Sequence, residues 1–564
     1  MRIEKPTRFL WWGTCLLALG ALGMSLFATG RGATLSTSSC NYLSLARNLA
    51  QGQGYVTSIT DLRTEADTAA TGMWPPAFPA FIAGLHKLGL PLEDAARLAV
   101  ALSFGLLVLM VCLTAHLAAR QRDGLNAGQC ALLALAAGII CIVWTPLAKW
   151  SAYIEAEMLY TFLTLLCLYA CLRIEADRRG RTGIWLAVAS LSCALALLTR
   201  YQGVAVLIVF VGWLVLRGLR PGLLRARPAG SALLGAIAPF ALWIVRNKLV
   251  TGDLTGHTRH LKLRGPGVNA ADTLRSLWVD IAPIPHLGMG LGRYMPTSRW
   301  LLCTLLLAAG GLLAALMARR HRVCRKEAVP QAAPSPNAHE RPAIIGAAAG
   351  VPALALLLAY AGVHLVVLNA FGCWKPLDPI NTRYIAPCYP GLIVATVIAI
   401  GSLFLQQWNA RPLLCRALAG FCLFWLLSAA TQVAPWIAIT RHQAEALRRL
   451  PSVRQLQASA AARFVSNDPY WTWYVTRRPC KLAPDPDDPR LASTQRWLKP
   501  GTCLVIYTAS PQFWEPAINT DESQFRKAGV LDHLRQLAAT GEYELWQQES
   551  PRMARRPAKP GLLR

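Results

Sequence analysis

The sequence predicts an all-α polytopic membrane bundle with a small C-terminal α/β domain, and three observations carry that prediction. The 564 residues are 54% hydrophobic, with a mean hydropathy of +0.36, and only 15% charged; a soluble domain carries roughly a quarter charged residues. The apolar residues fall in about eleven blocks of roughly 17–25 residues, the length that crosses a hydrocarbon core of about 30 Å at 1.5 Å per residue. The third observation is a polar stretch after residue 440 that reads as short strands and one helix. A soluble enzyme, a disulfide scaffold and a disordered chain are excluded.

In chain order the candidate spans are 9–28, 97–118, 129–147, 151–172, 184–199, 202–216, 231–246, 300–318, 343–368, 385–405 and 417–439. The first lacks a small-residue cleavage site and reads as an uncleaved anchor. Alternate loops hold Arg120 and Arg122; Arg173, Arg178, Arg179 and Arg181; Arg217, Arg220, Arg225 and Arg227; Arg319, Arg320, Arg322, Arg325 and Lys326; and Arg411 and Arg416. All five lie on the side of the N-terminus. Basic loops stay cytoplasmic, so the N-terminus is expected inside and the C-terminus outside. This bias accounts for the excess of 57 basic over 29 acidic residues and leaves no need for a nucleic-acid partner.

The domains expected are 1–440, transmembrane; 441–550, a small α/β outer domain; and 551–564, a basic disordered tail. Within the first, 30–75 is the first outer loop, 247–298 a second long outer loop and 319–342 a cytoplasmic linker. Connections of that length in a compact bundle are usually functional. In the last domain, Val465–Asn467, Trp471–Thr476, Cys503–Thr508 and Tyr543–Gln547 read as strands, and Ser523–Thr540 reads as an amphipathic helix. Most of the sixteen cysteines sit in apolar runs, where Cys behaves as a small hydrophobe. None has metal-site spacing, and Cys480 and Cys503 are the only candidates for a disulfide.

The spans are nearly free of charge. His116 and His364 read as packed core histidines. An ion-coupled transporter would keep acids or bases near the midplane, which argues against transport. The polar residues gather at outer helix ends instead: Glu155 and Glu157, Arg200, Arg246 and Asn247, and Arg383 with Tyr384. Two residues apart on a helix, Glu155 and Glu157 are expected to point about 200° apart, with Glu155 solvated and Glu157 recessed. Arg200, Arg246 and Arg383 stand against the charge bias. A planar, permanently charged guanidinium suits a phosphate, so the cluster suits a lipid phosphate or pyrophosphate at the lipid–water boundary.

Several segments then resemble one family. Asn-Tyr-Leu-Ser-Leu-Ala-Arg-Asn-Leu-Ala-Gln-Gly-Gln-Gly-Tyr (41–55) and Trp-Pro-Pro-Ala-Phe-Pro-Ala-Phe-Ile-Ala-Gly-Leu (74–85) resemble the first outer loop of bacterial GT-C-fold glycosyltransferases. These are relatives of the family 39 protein O-mannosyltransferases and the aminoarabinose transferase. Glu-Ala-Glu-Met-Leu-Tyr (155–160), Leu-Leu-Thr-Arg-Tyr-Gln-Gly (197–203), Trp-Ile-Val-Arg-Asn with a following Thr-Gly (243–252) and Arg-Tyr-Ile-Ala-Pro-Cys-Tyr-Pro (383–390) follow in the family's order. The resemblance covers roughly 9–440, with Tyr42, Trp74, Pro75 and Pro76 as the first-loop motif.

The resemblance implies inverting transfer of a sugar from a polyprenyl-phosphate donor to a lipid, glycan or protein acceptor on the outer face of a bacterial plasma membrane. In the family an Asp four residues before the motif Tyr acts as base or holds a metal; here that place is Ser38. A divalent metal is compatible with the resemblance, but no metal ligands are assigned. Arg200, Arg246 and Arg383 with Tyr384 are then expected to hold the donor phosphate, Glu157 to orient donor or acceptor, and Asp61 to replace the missing carboxylate, ahead of Glu65 and Asp67. The alternatives are a non-catalytic GT-C relative acting in binding or assembly, which Ser38 favours, and a lipid or polysaccharide transporter.

Overall fold

The computed structural model describes residues 8–32, 35–61, 66–122, 124–176, 182–218, 226–256, 265–281, 353–374, 380–407, separate positions between 416 and 449, 451–483, 498, 502–507, 531, 534–539 and 543–548. Its helices are α1 (Arg8–Ala28), α2 (Thr37–Ala50), α3 (Ala77–Lys87), α4 (Leu92–Ala119), α5 (Ala127–Val143), α6 (Thr145–Trp150), α7 (Glu157–Ala176), α8 (Thr182–Thr199), α9 (Val204–Gly218), α10 (Ala226–Thr251), α11 (Pro266–Ile281), α12 (Ala353–Trp374), α13 (Thr382–Ile385), α14 (Tyr389–Gln407), α15 (Pro451–Ala458) and α16 (Pro469–Thr476). Among the described residues eight helical stretches are long and apolar enough to cross a membrane, and α5 is a shorter apolar helix. The expected span 300–318, the linker 319–342 and the tail 551–564 lie outside the described residues. The span 417–439 is described only at separate positions.

The helix ends follow local chemistry. Pro91 precedes α4, and Glu93 and Asp94 fill its first turn, where the helix dipole favours acids. Asn126 and Gln129 form a reciprocal capping box on α5. The bundle is built around α4, which packs on α1, α5, α7 and α14 and buries Phe104, Leu107, Val108 and Val111 completely. Small residues set the spacing. A Cβ on Gly105 would lie 2.9 Å from the Ala18 carbonyl oxygen of α1, and one on Gly138 of α5 would lie 2.4 Å from Cys112 Sγ; close backbone approach of this kind drives helix association in lipid. Trp12, Leu242 and Val366 remain about 70% exposed, an apolar flank that suits hydrocarbon.

The first loop is structured. It contains α2, then β1 (Val56–Thr57) paired antiparallel with β3 (Ala69–Ala70), and β2 (Ile59–Asp61), which leaves the loop to join a second sheet. That sheet adds β4 (Arg463–Ser466), β5 (Cys480–Leu482), β6 (Thr502–Tyr507), β7 (Leu534–Ala539) and β8 (Tyr543–Gln548), in the order β2-β5-β4-β6-β8-β7. The first four strands are parallel, and β8 and β7 are antiparallel. Side chains reinforce the junction: Arg463 Nε lies 2.9 Å from Asp67 Oδ2, and Tyr474 donates to Glu93 at 2.7 Å.

Three expectations are corrected here. Trp471–Thr476 is helical, because Asp468 accepts the Trp471 amide at 3.1 Å and Pro469 occupies the first turn, a start signal that overrides the β propensity of the aromatics. Within 523–540, residues 534–539 form a strand paired with β8, not a helix; the other positions of that segment, apart from Leu531, lie outside the described residues. Cys480 and Cys503 both face Phe464 from opposite sides of β4. They are two strand spacings, about 10 Å, apart, beyond the reach of a disulfide, and both are free.

Candidate active site

Four segments converge at the end of the bundle that carries α2. Ser36 caps α2 through a reciprocal capping box with Ser39. The 151–156 segment precedes α7 without being helical. Arg200 lies in an extended conformation after α8, and α13 begins where Asn381 accepts the Arg383 amide at 2.9 Å. Each is a break between helices, so the backbone is free to turn its side chains inward.

Arg200 Nη1 and Arg383 Nε both donate to Glu157 Oε1. Arg383 Nη2 reaches Glu155 Oε2 at 2.5 Å, and Ser36 Oγ donates to Glu155 Oε1. Both carboxylates are fully buried, whereas the Arg200 and Arg383 side chains keep 12% and 15% of their exposure. The guanidiniums are therefore the accessible edge of the cluster. Glu157 Oε2 is buried and has no hydrogen-bond partner among the described residues. Burial pushes the Glu155 carboxyl from the ordinary 4.5 up to about 7; Arg383 opposes this and Glu157 adds to it. For Arg200, burial pulls the guanidinium down, and the facing Glu157 carboxylate overrides it. Flat rings flank both cations, with Tyr384 5.8 Å from Arg200 Cζ and Trp150 5.8 Å from Arg383 Cζ, within cation–π range.

Two expectations change. Glu155 is buried beside Glu157, not solvated and turned away, because α7 begins at Glu157 and the 100° step of a helix does not apply between them. Among the described residues Arg246 shares no carboxylate with Arg200 and Arg383. It lies five residues before the end of α10, against first-loop carbonyls, donating to Thr71 O at 2.8 Å and Tyr55 O at 3.2 Å. The first-loop motif supports that contact: Tyr55 donates to Trp74 O at 2.6 Å, Tyr42 packs edge-on against Phe78, and Pro75 and Pro76 lead into α3.

Ser38 sits in the first turn of α2. Asp61 ends β2, in register with Leu482. Ser36 was missed, although a Ser at the start of a polar helix with Ser three residues on is a readable cap signal. Asp280 was missed as well. It ends α11 and accepts a hydrogen bond from Tyr389 at the start of α14; a single acid after an amphipathic helix carries no motif.

Among the described residues no group of three or more His, Cys, Asp or Glu is placed to hold a metal ion. The donor set around Glu155 and Glu157 does not suit a dication, because two guanidiniums occupy the carboxylates directly.

A polytopic membrane bundle with a buried carboxylate pair and two exposed-edge arginines at one end is thus defined. No protein-family model matches the chain, and no curated protein does. Among solved structures, ArnT from Cupriavidus metallidurans bound to undecaprenyl phosphate superposes with a TM-score of 0.54 at 16% identity, over 94% of this chain and 97% of that one. The apo form of the same protein gives 0.53 at 16% identity. The oligosaccharyltransferase of Archaeoglobus fulgidus aligns more loosely, with a TM-score of 0.47 at 12% identity over 94% of this chain and 73% of that one. The chain has the GT-C fold of ArnT.

Proposed function

We propose that this protein is a membrane glycosyltransferase that moves a sugar from a polyprenyl-phosphate donor to a lipid, glycan or protein acceptor on the outer face of a bacterial plasma membrane. The observation that carries the reading is the pair Arg200 and Arg383, buried in charge balance against Glu155 and Glu157 yet exposed along one edge. In sugar transfer the acceptor oxygen bonds to the anomeric carbon as the carbon–oxygen bond to phosphate breaks, and negative charge grows on the departing lipid phosphate. Arginines already in place stabilise that charge without reorganising. Glu157 holds both of them. Arg246 keeps the first loop seated beside the donor, and Tyr384 flanks Arg200. The fold supports the reading, since ArnT shares it and has been seen with undecaprenyl phosphate bound.

For the carboxylate that the resemblance puts at Ser38, chain order offers Asp61. The second reading, a non-catalytic relative acting in binding or assembly, is favoured by Ser38 itself. One experiment separates them: the purified full-length protein in lipid, incubated with a radiolabelled polyprenyl-phosphate sugar. Turnover supports the transferase; donor binding without turnover supports the second reading. Arg383→Ala weakens donor binding by about 2 kcal/mol, the scale of a lost charge-assisted contact. Arg383→Lys restores only part of it, lacking the planar fork. Unchanged affinity in Arg383→Ala removes the phosphate site. Asp61→Asn stops transfer and spares donor binding if Asp61 is the base, at a cost of about 100- to 10,000-fold; full activity ends that assignment.

A further inference from the structure

Behind the arginine pair lies a layer of buried polar side chains that the donor reading leaves without a role. His364 is the packed core histidine the sequence suggests, and it stands on α12 one turn after Tyr360; both are almost fully buried. Its Nε2 lies 2.9 Å from Tyr384 O, the carbonyl that follows Arg383. Tyr160, in the first turn of α7 and also buried, donates its hydroxyl at 3.0 Å to Gln202 O, two residues after Arg200. Tyr360 Oη lies 3.2 Å from His364 Nδ1, and Tyr160 Oη lies 3.4 Å from each of those two atoms. Carbonyl oxygens only accept. A neutral His364 therefore carries its hydrogen on Nε2, toward Tyr384, and Nδ1 is an acceptor. Tyr160 commits its one hydrogen to Gln202 O, so Tyr360 is the donor to Nδ1. A single arrangement of hydrogens thus satisfies three side chains and two carbonyls.

We propose that His364, with Tyr360 and Tyr160, is the positioning network that sets the spacing of Arg200 and Arg383, and that the bond from His364 Nε2 to Tyr384 O is the part that fixes Arg383. The inference rests on the donor reading above. Both carbonyls lie in short helical turns at the breaks that carry the arginines, and a buried carbonyl needs a partner. Arg is a long side chain, so two anchors are needed to hold its guanidinium still. Glu155 and Glu157 hold the charged ends; the network holds the main chain behind them. The two breaks are far apart in the sequence, and side chains of α7 and α12 join them. A misplacement of about 1 Å in such an arrangement can cost about 100-fold in rate.

The test uses the purified full-length protein in lipid nanodiscs, titrated with undecaprenyl phosphate. His364→Gln places an amide N–H about where Nε2 stands and keeps the bond to Tyr384 O. His364→Asn can still accept from Tyr360 but stops short of that carbonyl. The Asn variant binds about tenfold more weakly than the wild type and the Gln variant stays within about threefold, the scale of one lost buried hydrogen bond. In an Arg383→Ala background the Asn substitution weakens binding by less than about twofold, because a positioning residue then has nothing left to position. Equal affinities for the Gln and Asn variants, or a tenfold loss that persists without Arg383, overturn the proposal. Tyr160→Phe keeps the ring and removes only the contact to Gln202 O. It weakens binding by about threefold or more and decides the matter if the His364 variants fail to fold; full affinity in it overturns the network. A wild type that does not bind the lipid phosphate, or an Arg383→Ala variant that binds it as tightly as the wild type, is a different result and removes the donor reading together with the proposal built on it.

Discussion

Glu155 and Glu157 lie two positions apart and still share Arg383, and this has an energetic consequence at the level of one proton. With Glu155 pushed from 4.5 to about 7, the folded protein binds a proton more tightly than the unfolded chain throughout that interval. Stability therefore falls as pH rises through it: the contribution is complete below about 4.5 and lost as pH passes about 7. Asp280, raised to about 7, and Asp468, raised to about 6, both by burial, have the same sign. Glu155→Gln is neutral at every pH and removes one part of the slope. The melting temperature in lipid is expected to drop less between about pH 5 and pH 8 in Glu155→Gln than in the wild type; identical slopes contradict the burial argument. Sequence made the arginines legible, because Arg200 and Arg383 stand against the charge bias. It hid their partner Glu155, since assigning 151–172 to one helix turned that carboxylate away. The true helix start is set by tertiary contact, which spacing in one chain does not report.

Among the elements, β2 changes the architecture most. The apolar blocks announced the spans through their length, and the alternation in Cys503–Thr508 and Tyr543–Gln547 announced two strands. A three-residue strand inside a polar loop gives no such signal, because its identity comes from Cys480, Lys481 and Leu482, more than four hundred residues away. The aromatic run at Trp471 shows the opposite failure, where β propensity was loud and a single cap at Asp468 decided for helix. The strand pairing is directly testable. Ile59 is paired with Cys480 across parallel strands about 4.8 Å apart, inside the Cα range of a disulfide. In an Ile59→Cys variant exported to an oxidising compartment, a bond to Cys480 should link the first loop to the C-terminal segment. Protease cleavage between them then leaves one band that separates only on reduction; two bands without reduction contradict the pairing.

On the scale of the whole molecule, strand pairing and helix ends together constrain how the chain threads the bilayer. β2 pairs with β5, and backbone hydrogen bonds do not reach across a hydrocarbon core of about 30 Å. The first loop and the C-terminal sheet must therefore share one side. That side is the start of α4, where Glu93 accepts from Tyr474, and it also holds Glu155, Arg383 and Asp280. The other end of α4 is about 40 Å away at 1.5 Å per residue. There Gln121 accepts the amide of Ala353, the first residue of α12, at 3.0 Å. Asp280 and Ala353 thus belong to opposite ends of the bundle, and the arginine-rich 319–326 run precedes the latter. The basic loops are the ground for expecting that end in the cytoplasm. Reporter fusions after residues 123 and 330 should read cytoplasmic, and fusions after 45 and 500 should read outside. A cytoplasmic signal at 500 with an outside signal at 45 is incompatible with the β2–β5 pairing. Outside signals at both 330 and 500 leave the pairing intact and overturn the charge-based orientation of the segment between α11 and α12.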